Sequence, residues 1–505
     1  MFKHSHVNES ISKRFSMSIF FNILRGIMTL LTSVFLARFL GPEEFGRMAF
    51  LLASFLAFKG LMDMYSSHAF FTFLSKETRS KDFIKIYWYW MAFQLIFSLI
   101  LVGLLLPNTL VATIWQNQDR ILVLLSLIAV FMQQSAWQVA SYMAEANRAT
   151  VAMQKVATSV VFSHLLLIVF LFLIDHLTLP IIFISISIEW AIGTFYAVKM
   201  YSGNNEKSDN IGSVFNEFWI YCKPLIPLVI FTFLYEFLDR WMLQLWGGSK
   251  EQAYYALAFT FSTIILLATT SIIKIFWKEI AESYHNGDLI QMQDFYKKTT
   301  RTLYFIGVFI AGFFLPWSEE FLQITVGNEY IDGKTTFILM LIYPIHQSLG
   351  QINGAVLLAT EKVKLQNLAG VIFIIISLLV AYYALAPEGL FIPGLNLGSQ
   401  GLAWKMIIMQ FFQVNIISYM IARIFKWKYD WLYQFYVLGV VILISFLIKF
   451  LLIKLLLSMY LVIILSFILY SMITAALLYV FPYLILGIKK EEFKDLISSF
   501  LIKIG

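Results

Sequence analysis

From Val156 to Ile174 the chain runs for 19 residues without an Asp, Glu, Lys or Arg. A helix of that length is about 28 Å long at ~1.5 Å per residue, close to the ~30 Å hydrocarbon thickness of a bilayer. Similar runs recur along the whole chain, and this recurrence constrains the fold more than any other feature. A backbone in lipid must satisfy its own hydrogen bonds, so each run reads as a transmembrane α-helix. Composition agrees. Apolar residues are 60% of the 505 and charged residues only 13%, about half the ~25% of soluble domains. So few charges cannot build a water-facing surface for a chain this long.

The chain is therefore expected to be an all-α integral membrane protein with about fourteen spans. Six fall near 16–40, 47–74, 84–106, 121–144, 156–174 and 179–198. Six more fall near 218–246, 253–277, 302–317, 335–359, 365–385 and 400–422, and two near 432–453 and 457–484. The polar stretch YSGNNEKSDNIGS at 201–213 is the best linker. The expected organisation is a lobe at 1–200, a cytoplasmic linker at 201–216 and a second lobe at 217–424. Two additional helices at 425–486 and a cytoplasmic tail at 487–505 follow. In that tail Phe493, Leu496, Phe500 and Leu501 have helical spacing among lysines, which fits either a short amphipathic helix or a frayed end.

The loops alternate in charge. With the N-terminus inside, 24 of the 37 Lys and Arg fall on inner segments, 6 on outer segments and 7 within spans. That bias predicts both termini in the cytoplasm. It also accounts for the net charge of +7, which is no sign of nucleic-acid binding. Cys222 is the single cysteine, so no intramolecular disulfide can form. No cleavable signal peptide is expected, because MFKHSHVNESISKRF leads into a span too long for one.

An internal repeat organises the spans. LARFLGPEEFGRMAFLLA at 36–53 matches LQLWGGSKEQAYYALAFT at 243–260, an offset of 207. Gly41 falls on Gly248 and Glu44 on Glu251. EANRATVAMQK at 145–155 matches ATEKVKLQNLA at 359–369, an offset of 214. Two matches in the same order at nearly one offset point to two homologous six-helix halves. An even number of helices per half keeps both copies in the same orientation, the parallel-repeat plan of alternating-access transporters.

Three segments then carry a resemblance. ARFLGPEEFGRMAF follows the first span, YCKPLIPLVIFTFLYEFLDRWMLQLWGGSKEQAYYALA covers the seventh, and LLATEKVKLQNLAGV joins the tenth to the eleventh. Together they resemble the polysaccharide-exporter (Wzx-type) flippases of the multidrug/oligosaccharidyl-lipid/polysaccharide superfamily. The resemblance implies two six-helix lobes in a V shape, with the last two helices as an addition. It implies an inner-membrane flippase for undecaprenyl-pyrophosphate-linked oligosaccharide, of O-antigen, capsule or a similar envelope polysaccharide. Membrane lipids, and polymerase and chain-length proteins of the same pathway, are the implied partners; no cofactor or metal is.

Charges inside a membrane need a cavity or a partner, since each costs at least ~2.5–3.5 kcal/mol at the bilayer centre. Arg25, Lys59, Lys223, Arg240, Lys274, Lys405 and Lys449 are embedded, against four acids, Asp63, Glu189, Glu236 and Asp239. This cationic excess suits an anionic substrate. Arg25 and Lys59 lie near mid-span, where arginine grips phosphate bidentately and lysine acts as a point charge. The resemblance adds that related lipid II flippases use cations on spans one, two and eight, which here carry Arg25, Lys59 and Lys274. Lys223, beside Pro224, either reaches the cavity mouth or snorkels to headgroups.

The bland alternatives are structural. Lys59 and Asp63 are spaced i,i+4 and could satisfy each other. Glu236 and Arg240 have the same spacing, so Glu236, Asp239 and Arg240 form a local ion pair or a gate. Lys405 and Lys449 read as snorkelling residues, and His164 and His346 as packed histidines. Gln134 with Gln138, and Gln347 with Gln351, share helix faces and fit sugar contacts or helix–helix hydrogen bonds. Asp63 and Glu189 are the candidates for ion coupling.

No Walker A, HExxH, nucleophile-elbow or Gly-rich dinucleotide motif is present, and no enzymatic activity is expected. A drug/cation antiporter of the same superfamily, expected to have an acid-rich cavity, is one alternative. A membrane-embedded O-antigen polymerase or ligase is the other, but the outer loops are under twenty residues.

Overall fold

The computed structural model describes residues 11–77, 79–200, 210–454, 458–495 and 498, with side chains excepted at 11–16, 264, 267–272 and 274–275. Every regular element among them is helical. In chain order these are α1 (Ile11–Asp63), α2 (Ser66–Lys76), α3 (Lys81–Ile100), α4 (Asn108–Ile114), α5 (Arg120–Val130), α6 (Trp137–Ala146), α7 (Thr150–Leu173), α8 (Leu179–Val198) and α9 (Ile211–Cys222). There follow α10 (Ile226–His285), α11 (Leu289–Phe314), α12 (Ser318–Thr325), α13 (Lys334–Ala359), α14 (Val363–Leu385), α15 (Gly398–Ile424), α16 (Leu432–Leu452), α17 (Met459–Val480) and α18 (Pro482–Leu486). Residues 201–209 of the expected linker lie outside the described residues, and from Ile211 the chain is already helical. In the tail, Leu496, Phe500 and Leu501 lie outside them as well.

Ten described helices are long and apolar enough to cross a membrane, or eleven if α11 and α12, bent by 72°, count as one. Length and apolarity alone therefore do not reach fourteen. Two of the ten are double. Within α1 the helix breaks at Gly41 (φ 71, ψ 171), and within α10 at Gly248 (φ 78, ψ −175). Only glycine adopts that region readily. Pro42 then opens the second arm of α1, where its missing N–H leaves no hydrogen bond unmade.

The chain forms two compact units. Unit 1 holds 1–256 and 381–398, and unit 2 holds 257–380 and 399–505. The division falls within α10, not in the polar stretch at 201–216.

Unit 1 contains both glycine breaks, and it shows how they are related. A Cβ added at Gly46 would lie 1.8 Å from the Ser249 carbonyl oxygen. The two hairpin ends therefore touch, so they lie at the same end of the unit. Their equal backbone conformation supports the match at offset 207. The second match gains less. Arg148 and Glu361 both have positive φ, but so do Asp175 and Lys426, a common way for a helix to end.

The core of unit 1 joins Phe70 and Phe73 of α2, Phe83 and Tyr87 of α3, Met143 of α6 and Cys222 of α9. Phe70 stacks on Tyr87 at 4.2 Å. Lipid tails are as apolar as these side chains, so close packing rather than water exclusion holds the helices together. The core of unit 2 joins Phe276 of α10, Leu303 of α11, Ile352 and Val356 of α13 and Ile421 of α15. Arg301 of α11 then fastens the last helices. Its guanidinium donates to the Tyr483 and Leu484 carbonyls at 3.0 and 2.8 Å and pairs with Asp430.

Candidate functional site

The second arm of α1 ends at Asp63 because Met64 and Tyr65 both take positive φ, 46° and 63°. Asp63 then caps α2 from outside. Its carboxylate accepts from the Ser67 N–H at 3.0 Å, the Ser66 hydroxyl at 3.0 Å and the Ser67 hydroxyl at 2.8 Å. With these three donors in place Asp63 makes no ion pair with Lys59, one turn earlier. Lys59 Nζ instead donates to Gln138 Oε1 at 2.8 Å, and Gln138 Nε2 donates to the Tyr142 hydroxyl at 2.8 Å. The ammonium is thus oriented by a neutral amide, and its charge is not cancelled by a direct pair.

Gln138 reaches that position through a π-helical turn at Phe131–Ala136 between α5 and α6. The Trp137 N–H bonds back five residues to the Met132 carbonyl. The wider turn alters the i,i+4 register expected for Gln134, inside the turn, and Gln138, beyond it. Such turns recur at functional sites.

Lys59 lines a recess of about 290 Å³ with Asp63, Tyr65, His68, Thr232 and Glu236. All lie in unit 1, on the second arm of α1, the turn that follows it, α2 and the first arm of α10. The recess holds two carboxylates to one ammonium. Glu236 lines the same recess as Lys59, so it belongs to this group more than to an isolated turn of α10.

The other expected residues are placed as follows. Arg25 donates to Asn22 Oδ1 on its own helix; it is not among the residues lining the Lys59 recess. Glu189 is bonded to His164 at 2.7 Å between α8 and α7. Lys223 sits exposed in the 3-10 turn Lys223–Leu225, between α9 and α10. Arg240 donates to Gln252 at 3.3 Å and stands 4.4 Å over the Tyr255 ring, bridging the hairpin at Gly248. Asp239 beside it is buried. The side chain of Lys274 lies outside the described residues.

In unit 2, Gln347 and Gln351 lie on α13, and Gln351 Oε1 is buried without a partner. His346 is packed between the rings of Tyr304 and Phe411. Two lysines depart from the expectation of snorkelling. Lys405 is 1% exposed. Lys449 donates to the Pro316 carbonyl at 2.8 Å, pairs with Glu320 and sits over the Trp317 ring, tying α16 to the bend before α12.

A family model described as "Polysaccharide biosynthesis protein" matches residues 11–276, more than half of the chain. No curated protein matches the sequence. Among solved structures the chain is similar to lipid II flippase MurJ in an inward closed conformation, at 15% identity and a TM-score of 0.70, covering 92% of this chain and 98% of that one. It is also similar to an inward-facing multidrug resistance MATE family transporter of the MOP superfamily, at 10% identity and a TM-score of 0.56, over 81% and 97%. A Vibrio cholerae MATE transporter follows at 14% identity and 0.50, over 82% and 97%. At these identities the likeness shows the fold alone, that of a multi-pass helical membrane protein.

Proposed function

Because the chain belongs to the family of polysaccharide biosynthesis proteins, we propose that it is a flippase for lipid-linked oligosaccharides. It moves undecaprenyl-pyrophosphate-linked units across the cytoplasmic membrane by alternating access, with both termini inside. The family match carries this reading, and the fold shared with a lipid II flippase supports it. The loop charges and the short outer loops agree.

The cationic contacts follow from the placement of charge. Lys59, held by neutral Gln138, keeps a charge available to a pyrophosphate, and an attraction between them is strengthened to the extent that binding excludes water. Arg25 stands about sixteen residues before the Gly41 break and Lys59 about eighteen after it. Both are therefore roughly 24–27 Å from the same hairpin end at ~1.5 Å per residue. That common level lets both serve one headgroup, with Lys223 of the same unit as a further cation. Gln134, Gln347 and Gln351 are the proposed sugar contacts, and Asp63 or Glu189 the coupling group. Arg240 braces the hairpin through Gln252 and Tyr255, and with Glu236 and Asp239 it would form the gate.

One observation favours a second reading, a cation antiporter of the same superfamily. The Lys59 recess carries more carboxylate than ammonium. The two readings separate by complementation. A flippase restores surface glycan to a flippase-null strain; an antiporter leaves glycan absent and changes drug tolerance.

A further inference from the structure

A second recess lies in unit 2, where α11, α15 and the turn joining α15 to α16 meet. It measures about 50 Å³ and is lined by Tyr296, Lys297, Trp427, Lys428, Tyr429 and Tyr433, with Arg301 at its side. Most polar groups around it are satisfied. Tyr296 donates to Asn353 at 2.8 Å, and Tyr429 to Asn415 at 2.7 Å. Gln434 Nε2 donates to Asn415 at 3.0 Å, and the Arg301 fork is taken by Asp430. Burial pushes the Tyr429 phenol up to about 12, so it stays protonated at neutral pH.

Three donors are left over, the Thr300 hydroxyl on α11 among them. Tyr433 Oη and Trp427 Nε1 are buried without a partner, and Tyr433 is 3% exposed. A buried donor left unmade costs about 1–3 kcal/mol, so its persistence asks for a cause. The charge is also unbalanced. Lys297, Arg301 and Lys428 face the single carboxylate Asp430, and neither lysine forms an ion pair among the described residues.

We propose that this recess binds an anionic phosphate group. Five donor-bearing residues line it from three elements: Lys297 and Thr300 on α11, Trp427 and Lys428 on the turn, and Tyr433 on α16. A tetrahedral phosphate, whose oxygens do not share one plane, meets such a set from three elements, whereas a carboxylate presents its two oxygens in a single plane. Water can take up the hydrogen bonds but cannot balance the charge. The volume fits, since about 50 Å³ admits roughly three to five waters at ~10–15 Å³ each, close to the five heavy atoms of phosphate. The loop-charge reading puts this turn on the cytoplasmic side, where both free phosphate and anionic lipid headgroups are at hand. The site is separate from the Lys59 recess and does not depend on what the protein transports.

The test uses the full chain purified in a neutral detergent. Equilibrium dialysis with radiolabelled orthophosphate is one arm. Titration with dihexanoyl phosphatidylglycerol, against dihexanoyl phosphatidylcholine, is the other. Tyr433→Phe removes only the hydroxyl, and Lys428→Ala alters an exposed side chain, so both variants should fold. The expected result is saturable binding of one phosphate group per chain, weakened about tenfold by each variant, as the loss of one charged hydrogen bond implies. Orthophosphate binding identifies a soluble ligand; binding of phosphatidylglycerol but not orthophosphate or phosphatidylcholine identifies a headgroup. Absence of saturable binding in both arms, equal binding of the two lipids with no binding of orthophosphate, or binding untouched by both variants would overturn the proposal.

Discussion

Lys59 and Gln138 are joined by a 2.8 Å hydrogen bond between helices that are 79 residues apart in the chain. The bond leaves the ammonium oriented and still charged. Gln138→Glu would pair it directly and cancel that charge. We expect export to fall at least tenfold in this variant, with membrane levels unchanged by immunoblot. Gln138→Ala should be milder, since it removes one hydrogen bond of about 1.5–3 kcal/mol to a charged group but leaves the cation.

Arginine at position 25 is expected to contribute more than charge. Arg25→Lys should keep partial export, because the ammonium survives while the bidentate fork is lost. Arg25→Ala should abolish it. Equal export by both variants in a flippase-null strain would remove Arg25 from the substrate path.

The glycine breaks make a ranked prediction about stability. Gly248 has open space where a Cβ would go, so Gly248→Ala should cost only backbone strain, about 1–3 kcal/mol. Gly46→Ala should be far worse, because its methyl would meet the Ser249 carbonyl at 1.8 Å. Thermal melts of the purified variants in detergent check the order.

The touching hairpin ends put Glu43 and Ser249 on one side of the membrane, and the loop charges predict which. Reporter fusions after Glu43 and Ser249 should both read extracytoplasmic, and fusions after Lys81 and Lys428 cytoplasmic. Opposite readings at Glu43 and Ser249 would contradict the packing of Gly46 on Ser249.

The C-terminal helices should come loose in Arg301→Ala, which loses the Asp430 pair and both carbonyl contacts. The loss is roughly 1.5–3 kcal/mol for a charged hydrogen-bonding group. Gly487→Ala should act in the same direction, because Gly487 has φ 74 and its Cβ would lie 3.2 Å from the Arg301 side chain. Limited proteolysis between α15 and α16 reads both.

Much of this was legible in the chain. Apolar runs marked the helices, and the Gly41 and Gly248 matches marked the hairpins, because a tight return between two spans needs a residue free to adopt positive φ. Spacing within one helix was less informative. Lys59 and Asp63 have the right separation for an ion pair, but Asp63 is taken by the serines of the next helix and Lys59 by a glutamine across the unit. Lys405 failed for the same reason: depth along a helix says nothing of which face is covered. The π turn before Gln138 left no periodic signal, and the Arg301 latch joins α11 to segments more than 120 residues further on. Those features are set by tertiary neighbours.

The most direct test of the account is flipping in proteoliposomes. Undecaprenyl-pyrophosphate-linked oligosaccharide is incorporated with the purified protein, and the fraction reachable by an externally added glycosidase is followed over time. With the wild-type chain that fraction should rise beyond the half exposed in protein-free vesicles, and it should stay near the protein-free value with Lys59→Ala. Equal accessibility in vesicles with and without the wild-type protein would contradict the proposed function.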